Sequence, residues 1–211
     1  MTLEAVEIFN EKFKEYDAWY DRYPEVYTSE IKAIAPIRLS GRGIEIGVGT
    51  GRFASHFRVE YGLDPAYNAL RLARSRSIKV VQAVAEKMPF RNETFHFALL
   101  VATLGFVDKP DLVLKETRRI LKSGATLVAG IIDRDTVWGR HIVMKADQSR
   151  FVRYARFFTA EEIRELLHET DWEIVSSYQT LFHSPENTLT VEEPQKGFGK
   201  GGFAVFHVRK T

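Results

Sequence analysis

The sequence contains the run Gly43-Ile-Glu-Ile-Gly-Val-Gly-Thr-Gly-Arg-Phe53, in which a short apolar segment leads into alternate glycines and then into a helical pattern. Glycine tolerates positive φ and has no side-chain bulk, so a backbone built on Gly47, Gly49 and Gly51 can approach a ligand closely. In α/β proteins such a turn lies at the carboxyl end of the first strand, where ligands bind. We therefore expect an α/β fold with a ligand site at this turn.

The spacing of these glycines argues against a dinucleotide ligand. A dinucleotide fingerprint counted from Gly47 requires a small residue at the position of Arg52. Glu45 would repel a pyrophosphate but attract a cation. Asp64, at the end of the next predicted strand, can accept hydrogen bonds from both ribose hydroxyls. The pattern favours a nucleoside that carries an amine, with an NAD-dependent reductase as the weaker alternative.

Short β-branched runs alternate with helical patterns through the rest of the chain, which is typical of βαβ units and a parallel sheet. We predict seven strands and, after the first of them, four helices; at the last helix, Thr159 and Glu162 have capping-box spacing. The strands are 43–46, 60–64, 79–82, 95–101, 126–133, 172–181 and 203–209, and the helices are 52–57, 66–76, 110–121 and 159–169.

Two further segments flank this core. Residues 1–40 have aromatic residues at helical spacing and predict an N-terminal helical cap, while residues 134–158 are polar and irregular and predict a lid-like insertion after the fifth strand. The length of 211 residues fits one domain that includes both segments, 1–211.

Composition narrows the function classes. The chain has no cysteine, which excludes disulfides and thiolate chemistry, and the near balance of 30 basic and 28 acidic residues gives no support for a nucleic-acid partner. No apolar run reaches the roughly 18 residues that span a bilayer, and no signal peptide is evident at the N-terminus. We expect a cytoplasmic protein with no membrane partner and no metal, and the oligomeric state stays open.

These residues resemble the class I S-adenosylmethionine-dependent methyltransferases of the small-molecule type, similar to the quinone-biosynthesis methyltransferases. The first motif of that family corresponds to Glu45–Gly51, the second to Asp64-Pro65 and the third to Val84–Phe90, where Val84 replaces the usual acid. The resemblance implies a Rossmann-like seven-stranded, mostly parallel sheet with helices on both faces and an antiparallel last strand. It also implies S-adenosylmethionine as cofactor and S-adenosylhomocysteine as product. The implied cofactor-binding residues are Tyr16, Glu45, Gly47, Gly49, Gly51, Asp64, Pro65, Ala85, Glu86, Thr103 and Leu104.

The sequence says less about the residues that bind the methyl acceptor. Methyl transfer by in-line displacement needs alignment rather than a protein nucleophile, so the catalytic residues stay unknown, with Tyr20 and His141 as candidate bases. Candidate substrate-binding residues are Tyr20, Trp138, Arg140 and His141. Plainer interpretations exist for three of the candidate residues. Tyr16 and Tyr20 can belong to the core-facing stripe of a helix, and His141 can be a solvated loop residue.

The predicted function is therefore methyl transfer to a small-molecule acceptor, either an amine or a hydroxyl compound. The segment Ala102-Thr-Leu-Gly-Phe106 lacks the Asn-Pro-Pro-Tyr-type motif of adenine and glutamine methylases, which supports a small-molecule acceptor. A non-catalytic S-adenosylmethionine-binding module is the alternative, because Val84 stands where an acid is usual.

Overall fold

The computed structural model describes residues 3–184, 188 and 190–211. Its strands form one sheet in the order β3-β2-β1-β4-β5-β8-β6-β7. The first five strands are parallel, β8 lies antiparallel between β5 and β6, and β7 pairs with β6 at the edge. The strands are β1 (Gly43–Ile46), β2 (Tyr61–Asp64), β3 (Lys79–Gln82), β4 (Phe95–Val101), β5 (Leu121–Ile132), β6 (Trp172–Thr180), β7 (Gln195–Lys196) and β8 (Phe203–Lys210).

The predicted α/β class and mostly parallel sheet are confirmed, and two details differ. The described chain has eight strands rather than seven, because the two-residue strand β7 adds to the free edge of β6. The fifth strand begins at Leu121 rather than Thr126, since Leu121 already pairs with Phe95 on β4.

Eight α-helices lie in the described residues. Three precede the sheet, four of the other five match a predicted helix closely, and one lies in the predicted insertion. They are α1 (Leu3–Glu11), α2 (Phe13–Arg22), α3 (Pro24–Ile34), α4 (Arg52–His56), α5 (Tyr67–Ser75), α6 (Pro110–Ile120), α7 (Val137–Met144) and α8 (Ala160–Glu169). At the start of α8, the predicted capping box is confirmed: Glu162 N donates to Thr159 Oγ1 at 3.0 Å, and Thr159 N donates to Glu162 Oε2 at 2.8 Å.

Both faces of the sheet are buried, as parallel strands require. Successive residues of β4 point to opposite faces: Ala98 and Leu100 belong to one apolar cluster, whereas Leu99 and Val101 belong to the other. The first cluster includes residues of α6 and α8, and the second includes residues of α2 to α5 and α7. No helix in the described part of the chain has the length and apolar character to cross a membrane.

Strand β1 lies between β2 and β4, so the chain leaves its carboxyl end at the point where the strand order reverses. A crevice opens at such a switch point in open α/β sheets. The glycine turn 47–51 follows β1 directly and therefore lies in this crevice.

The N-terminal helices are fastened to this turn through the buried carboxylate of Asp17 on α2. Each of its oxygens accepts hydrogen bonds from both Arg52 and Arg76, at 2.8–3.0 Å. Arg76 also donates to the backbone oxygen of Thr50 in the glycine turn at 2.6 Å. Burial alone would raise the pKa of Asp17, but the hydrogen bonds from Arg76 and Arg52 lower it well below the usual range. We call these three side chains the Asp17 clamp.

Replacing Asp17 by alanine should lower the free energy of unfolding by about 3 kcal/mol, because two partly buried guanidinium groups then lose their shared acceptor. Urea denaturation monitored by circular dichroism would measure the loss. Asp21→Ala is the matched control, since the Asp21 side chain is 68% exposed and accepts its hydrogen bond from Arg52 at the protein surface. Equal losses in the two variants would show that the clamp has no special role.

Candidate active site at the carboxyl edge of the sheet

Gly49 is the residue of the glycine turn at which the backbone faces open space. Its φ is +50°, and a Cβ built on it would meet no atom within 4 Å. At Gly47, by contrast, a Cβ would lie 2.3 Å from the Oγ1 of Thr103, so that glycine is needed for packing within the protein. The absence of side-chain bulk at Gly49 leaves room for a ligand rather than for a neighbouring side chain.

Asp64, at the end of β2, fixes the shape of this turn. Its two carboxylate oxygens accept hydrogen bonds from Gly49 N at 2.9 Å and from Ala66 N at 2.8 Å. Burial raises the pKa of Asp64 to about 6, although both hydrogen bonds act to lower it. Each carboxylate oxygen has more than one acceptor site, so Asp64 can still accept further hydrogen bonds from a ligand.

Glu45 on β1 has a structural partner. Its Oε2 accepts a hydrogen bond from Ala54 N at 2.7 Å, in the first turn of α4. The side chain is buried, which raises the pKa of Glu45 to about 8. Glu45 therefore ties the strand to the helix that follows the glycine turn.

Two neighbouring cavities open at this edge of the sheet. The smaller, which we call the turn cavity, has a volume of about 50 Å³, and the larger, the aromatic cavity, has a volume of about 460 Å³. The turn cavity is lined by Phe9, Phe13, Tyr16, Gly47, Gly49, Thr50, Asp64, Ala69, Val101, Ala102, Thr103 and Phe106. The aromatic cavity takes one wall from α2 and α3 and the other from α7, the ends of β4 and β5 and residues 148–158.

Three residues line both cavities and form their shared wall: Tyr16, Ala102 and Phe106. Ala102 has a φ of +51°, a conformation that costs a non-glycine residue roughly 1–2 kcal/mol. Such strain persists where the surrounding structure enforces it and is often found at functional sites. A group held in one cavity can thus meet a group held in the other beside Ala102.

The structure brings some of the predicted cofactor residues together and separates others. Tyr16, Gly47, Gly49, Asp64 and Thr103 line the turn cavity. Gly51 instead packs against α5 and the residues that follow it, where a Cβ would lie 3.1 Å from Ala73 Cβ and 2.5 Å from Ile78 Cδ1. Outside the lining of both cavities are Glu45, Gly51, Pro65, Ala85, Glu86 and Leu104.

Leu104 and Ala85 are buried in the apolar core. The prediction that Leu104 lines the site does not match its position, because the turn after β4 directs Ala102 and Phe106 to the cavities instead. Glu86 accepts a hydrogen bond from Asp108 N at 3.1 Å, beyond the end of β4.

Of the predicted acceptor-side residues, Tyr20 and Trp138 line the aromatic cavity, whereas Arg140 and His141 do not. Arg140 is exposed and donates to the backbone oxygen of Asp135. His141 follows it on α7, half-buried and outside the lining of the cavity. The structure therefore gives neither residue contact with the space in which an acceptor would lie.

The hydroxyls of Tyr16 and Tyr20 are hydrogen-bonded at 3.0 Å. Burial raises the pKa of Tyr16 to about 12 and the pKa of Tyr20 well above its usual value. Both side chains are therefore neutral near pH 7, which suits hydrogen bonding and packing better than proton abstraction by a tyrosinate.

Comparison with known proteins identifies the family. Residues 44–129 match the model of a family described as a methyltransferase domain. An uncharacterized protein of Methanocaldococcus jannaschii is 37% identical over 203 residues, 96% of this chain and 98% of that protein. An uncharacterized protein of Mycobacterium tuberculosis is 38% identical over 175 residues, 81% of this chain and 61% of that protein. The crystal structure of an S-adenosylmethionine-dependent methyltransferase from Thermotoga maritima superimposes with a TM-score of 0.94 and 38% identity, over 98% of this chain and 100% of that chain.

This chain belongs to the S-adenosylmethionine-dependent methyltransferases. The family confirms the predicted resemblance and the assignment as an enzyme. No group of three or more histidine, aspartate or glutamate side chains in the described residues is arranged to hold a metal ion.

Among the cavity-lining residues that were not predicted from the sequence, one is a buried acid. Glu30 on α3 lines the aromatic cavity and is only 6% exposed. A signal for it existed: Glu30 is four residues from both Val26 and Ile34, which are buried, so it lies on the buried face of the helix. Burial raises the pKa of Glu30 to about 8.

The raised pKa values of Glu30, Glu45 and Asp64 predict a pH-dependent stability. Because burial disfavours the ionised form, their contribution to stability is fully present below their unfolded-state pKa values near 4 and is lost as pH rises through about 6 for Asp64 and about 8 for the two glutamates. Between those limits each group can cost about 1.4 kcal/mol per pH unit. Glu30→Gln should therefore flatten the decline in unfolding free energy between about pH 5 and pH 8.5, as measured by urea denaturation.

The matched control for that measurement is Asp21→Asn, which removes an exposed carboxylate with a pKa lowered by Arg52. This variant should keep the wild-type slope above pH 5. An unchanged slope in Glu30→Gln would show that burial of the Glu30 carboxyl does not lower the unfolding free energy as pH rises.

Proposed function

We propose that this methyltransferase transfers the methyl group of S-adenosylmethionine to a small-molecule amine or hydroxyl acceptor held in the aromatic cavity. The observation that carries the proposal is the shared wall of Tyr16, Ala102 and Phe106, across which the turn cavity and the aromatic cavity adjoin. A volume of about 460 Å³ lies within the usual range of roughly 300–1,000 Å³ for small-ligand pockets.

The residues of the turn cavity fit the cofactor. Gly49 offers a backbone with no side chain in the way, and Asp64 offers carboxylate oxygens that can accept hydrogen bonds from ribose hydroxyls. When bound, the cofactor supplies a methyl carbon on a positively charged sulfur, and the products are the methylated acceptor and S-adenosylhomocysteine. Pro65, Ala85 and Glu86 stay predicted cofactor contacts, with Ala85 and Glu86 on the adenine side, and Glu45 would act through the turn that it supports.

The N-terminal segment fits the role of a closing cap. The turn cavity, at about 50 Å³, is too small for a nucleoside while Phe9 and Phe13 line it. Helix α1 is fastened to the start of α5, where the Asn10 side chain accepts from Asn68 N at 2.8 Å. Entry of the cofactor therefore requires α1 to shift away from α5, and residues 134–158 would close the acceptor side.

The chain's own contribution to the reaction is alignment and exclusion of water, since no protein nucleophile is needed. The Tyr16 and Tyr20 hydroxyls stay neutral and hydrogen-bonded to each other, so these side chains position ligands rather than accept a proton. Ala102 keeps the shared wall thin because its side chain is a single methyl group.

The relative from Thermotoga maritima is described as a possible histamine N-methyltransferase. That description and the 38% identity favour an amine over a hydroxyl compound as the acceptor of this chain. The aromatic lining is compatible with either class.

The donor assignment is tested by Gly49→Val. A valine at Gly49 would place a branched side chain in the space left for the cofactor and strain a backbone with φ of +50°. We expect S-adenosylhomocysteine affinity, measured by calorimetry, to fall at least about 100-fold, which is roughly 2.7 kcal/mol. Gly124→Val is the control, because Gly124 on β5 has a φ of +72° and equally open surroundings but does not line either cavity. Wild-type affinity in the Gly49 variant would place the cofactor elsewhere.

The acceptor assignment is tested by Ile142→Trp on α7. Ile142 lines the aromatic cavity, so the larger side chain should fill part of it and lower turnover about tenfold or more, while S-adenosylhomocysteine affinity changes little. Val143→Trp is the control, since Val143 is the next residue, is 38% exposed and lies outside the lining. Turnover is measured as S-adenosylhomocysteine released in a screen of small amines and hydroxyl compounds. Equal turnover in both variants would remove the aromatic cavity as the acceptor site.

A further inference from the structure

The carboxyl group of Glu30 is a buried acid on the wall of the aromatic cavity. The side chain is 6% exposed and lines the aromatic cavity. Among the residues that the structure describes, no side chain or backbone group makes a hydrogen bond or ion pair with this carboxyl. A buried polar group that lacks a partner costs free energy, and in native proteins such a group needs an explanation.

Three arginines line the aromatic cavity, Arg22, Arg150 and Arg156, and none of them makes an ion pair with Glu30. Arg150 is at 3.7 Å from Glu15, with both side chains more than half exposed, and the guanidinium of Arg156 lies 4.5 Å from the centre of the Phe158 ring. Burial is the cause of the raised pKa of Glu30, and no neighbouring charge lowers it. The cavity thus contains an acid whose ionised form none of the described residues stabilises.

Aromatic side chains surround the same space. Trp19, Tyr20 and Trp138 line the cavity together with Glu30, and Tyr20 and Trp138 are themselves buried. The faces of aromatic rings attract cations, and the attraction grows when the cation is removed from water. A carboxylate within an aromatic lining is therefore suited to a positively charged nitrogen.

We infer that Glu30 is the residue that selects the methyl acceptor, by pairing with a positively charged nitrogen of a small aromatic amine held in the aromatic cavity. This inference rests on the proposed function and narrows its acceptor to cationic amines. Pairing supplies the hydrogen-bond donor and the opposite charge that the described residues do not supply. Glu30 acts in recognition of the ammonium form, and because an ammonium has no lone pair, the nitrogen must lose a proton to solvent before it can accept the methyl group.

Two matched pairs of probes test the inference: 2-phenylethylamine with 2-phenylethanol, and tryptamine with tryptophol. The two compounds of a pair differ only in that one carries an ammonium group and the other a hydroxyl group. In the full-length wild-type protein saturated with S-adenosylhomocysteine, calorimetry should show each amine binding about tenfold or more tightly than its alcohol, the range expected for a charged hydrogen bond. Amines that bind no better than their alcohols in both pairs would overturn the inference.

Glu30→Gln should reduce this preference to less than about threefold, through weaker binding of the amines with little change for the alcohols. The variant should fold, because it removes an acid that is costly to bury. Glu25→Gln, on the same helix but outside the cavity lining, is the control and should keep the wild-type preference. A preference that survives in Glu30→Gln would also overturn the inference.

The same measurements separate failure of the inference from failure of the proposed function. Binding of S-adenosylhomocysteine with methylation of alcohols but not of amines would leave the proposed function intact and reject the role of Glu30. Absence of any S-adenosylhomocysteine binding would reject the proposed function, whereas the comparison of amine with alcohol in the cofactor-free protein would still decide the role of Glu30.

Discussion

The rest of the structure depends on the carboxylate of Asp17. Its two oxygens hold the guanidinium groups of Arg52 and Arg76, and Arg76 reaches on to Thr50 in the glycine turn. Both cavities take one wall from the N-terminal helices and the other from the edge of the sheet, so both exist only while these parts stay together. A buried charge is costly unless it is fully paired, and here two arginines share the pairing. Arg52, the residue that departs from a dinucleotide fingerprint, is thus one of the two arginines that attach the N-terminal helices.

The fold could be predicted because local patterns and global topology agree. The glycine turn, the alternation of apolar runs with helical periods and the Thr159–Glu162 capping box each indicated the element that the structure contains. Strand β7 could not be predicted, since two residues have no periodicity and their pairing depends on the free edge of β6. The early start of β5 was missed because Lys122-Ser-Gly124 has the composition of a turn. Gly124 does have a φ of +72°, and the strand reaches back to Leu121 through the pairing of Leu121 with Phe95 across a register shift in β4.

The site was predicted in part, and helical phase explains much of the remainder. Trp138 and Ile142 are four residues apart on α7 and both line the aromatic cavity, whereas Arg140 and His141, between them, point elsewhere. Sequence alone does not define which face of a short helix meets a cavity that a distant segment completes. Glu30 was missed because its importance comes from the aromatic residues and strand ends opposite α3, which are far away in the chain.

Negative charge converges on Tyr16 in the shared wall. Burial is the largest cause of the raised pKa of Tyr16, and the hydrogen bond with Tyr20 acts to lower it. The charges of Glu30, Glu45 and Asp64 each raise it further. Glu30 lines the aromatic cavity and Asp64 lines the turn cavity, so the wall lies between two acids, and the potential there becomes more negative as these acids lose their protons. Such a potential opposes a tyrosinate and favours cations on either side. The same charges that keep Tyr16 neutral therefore suit the proposed site, in which a positively charged methyl donor would lie next to a cationic amine.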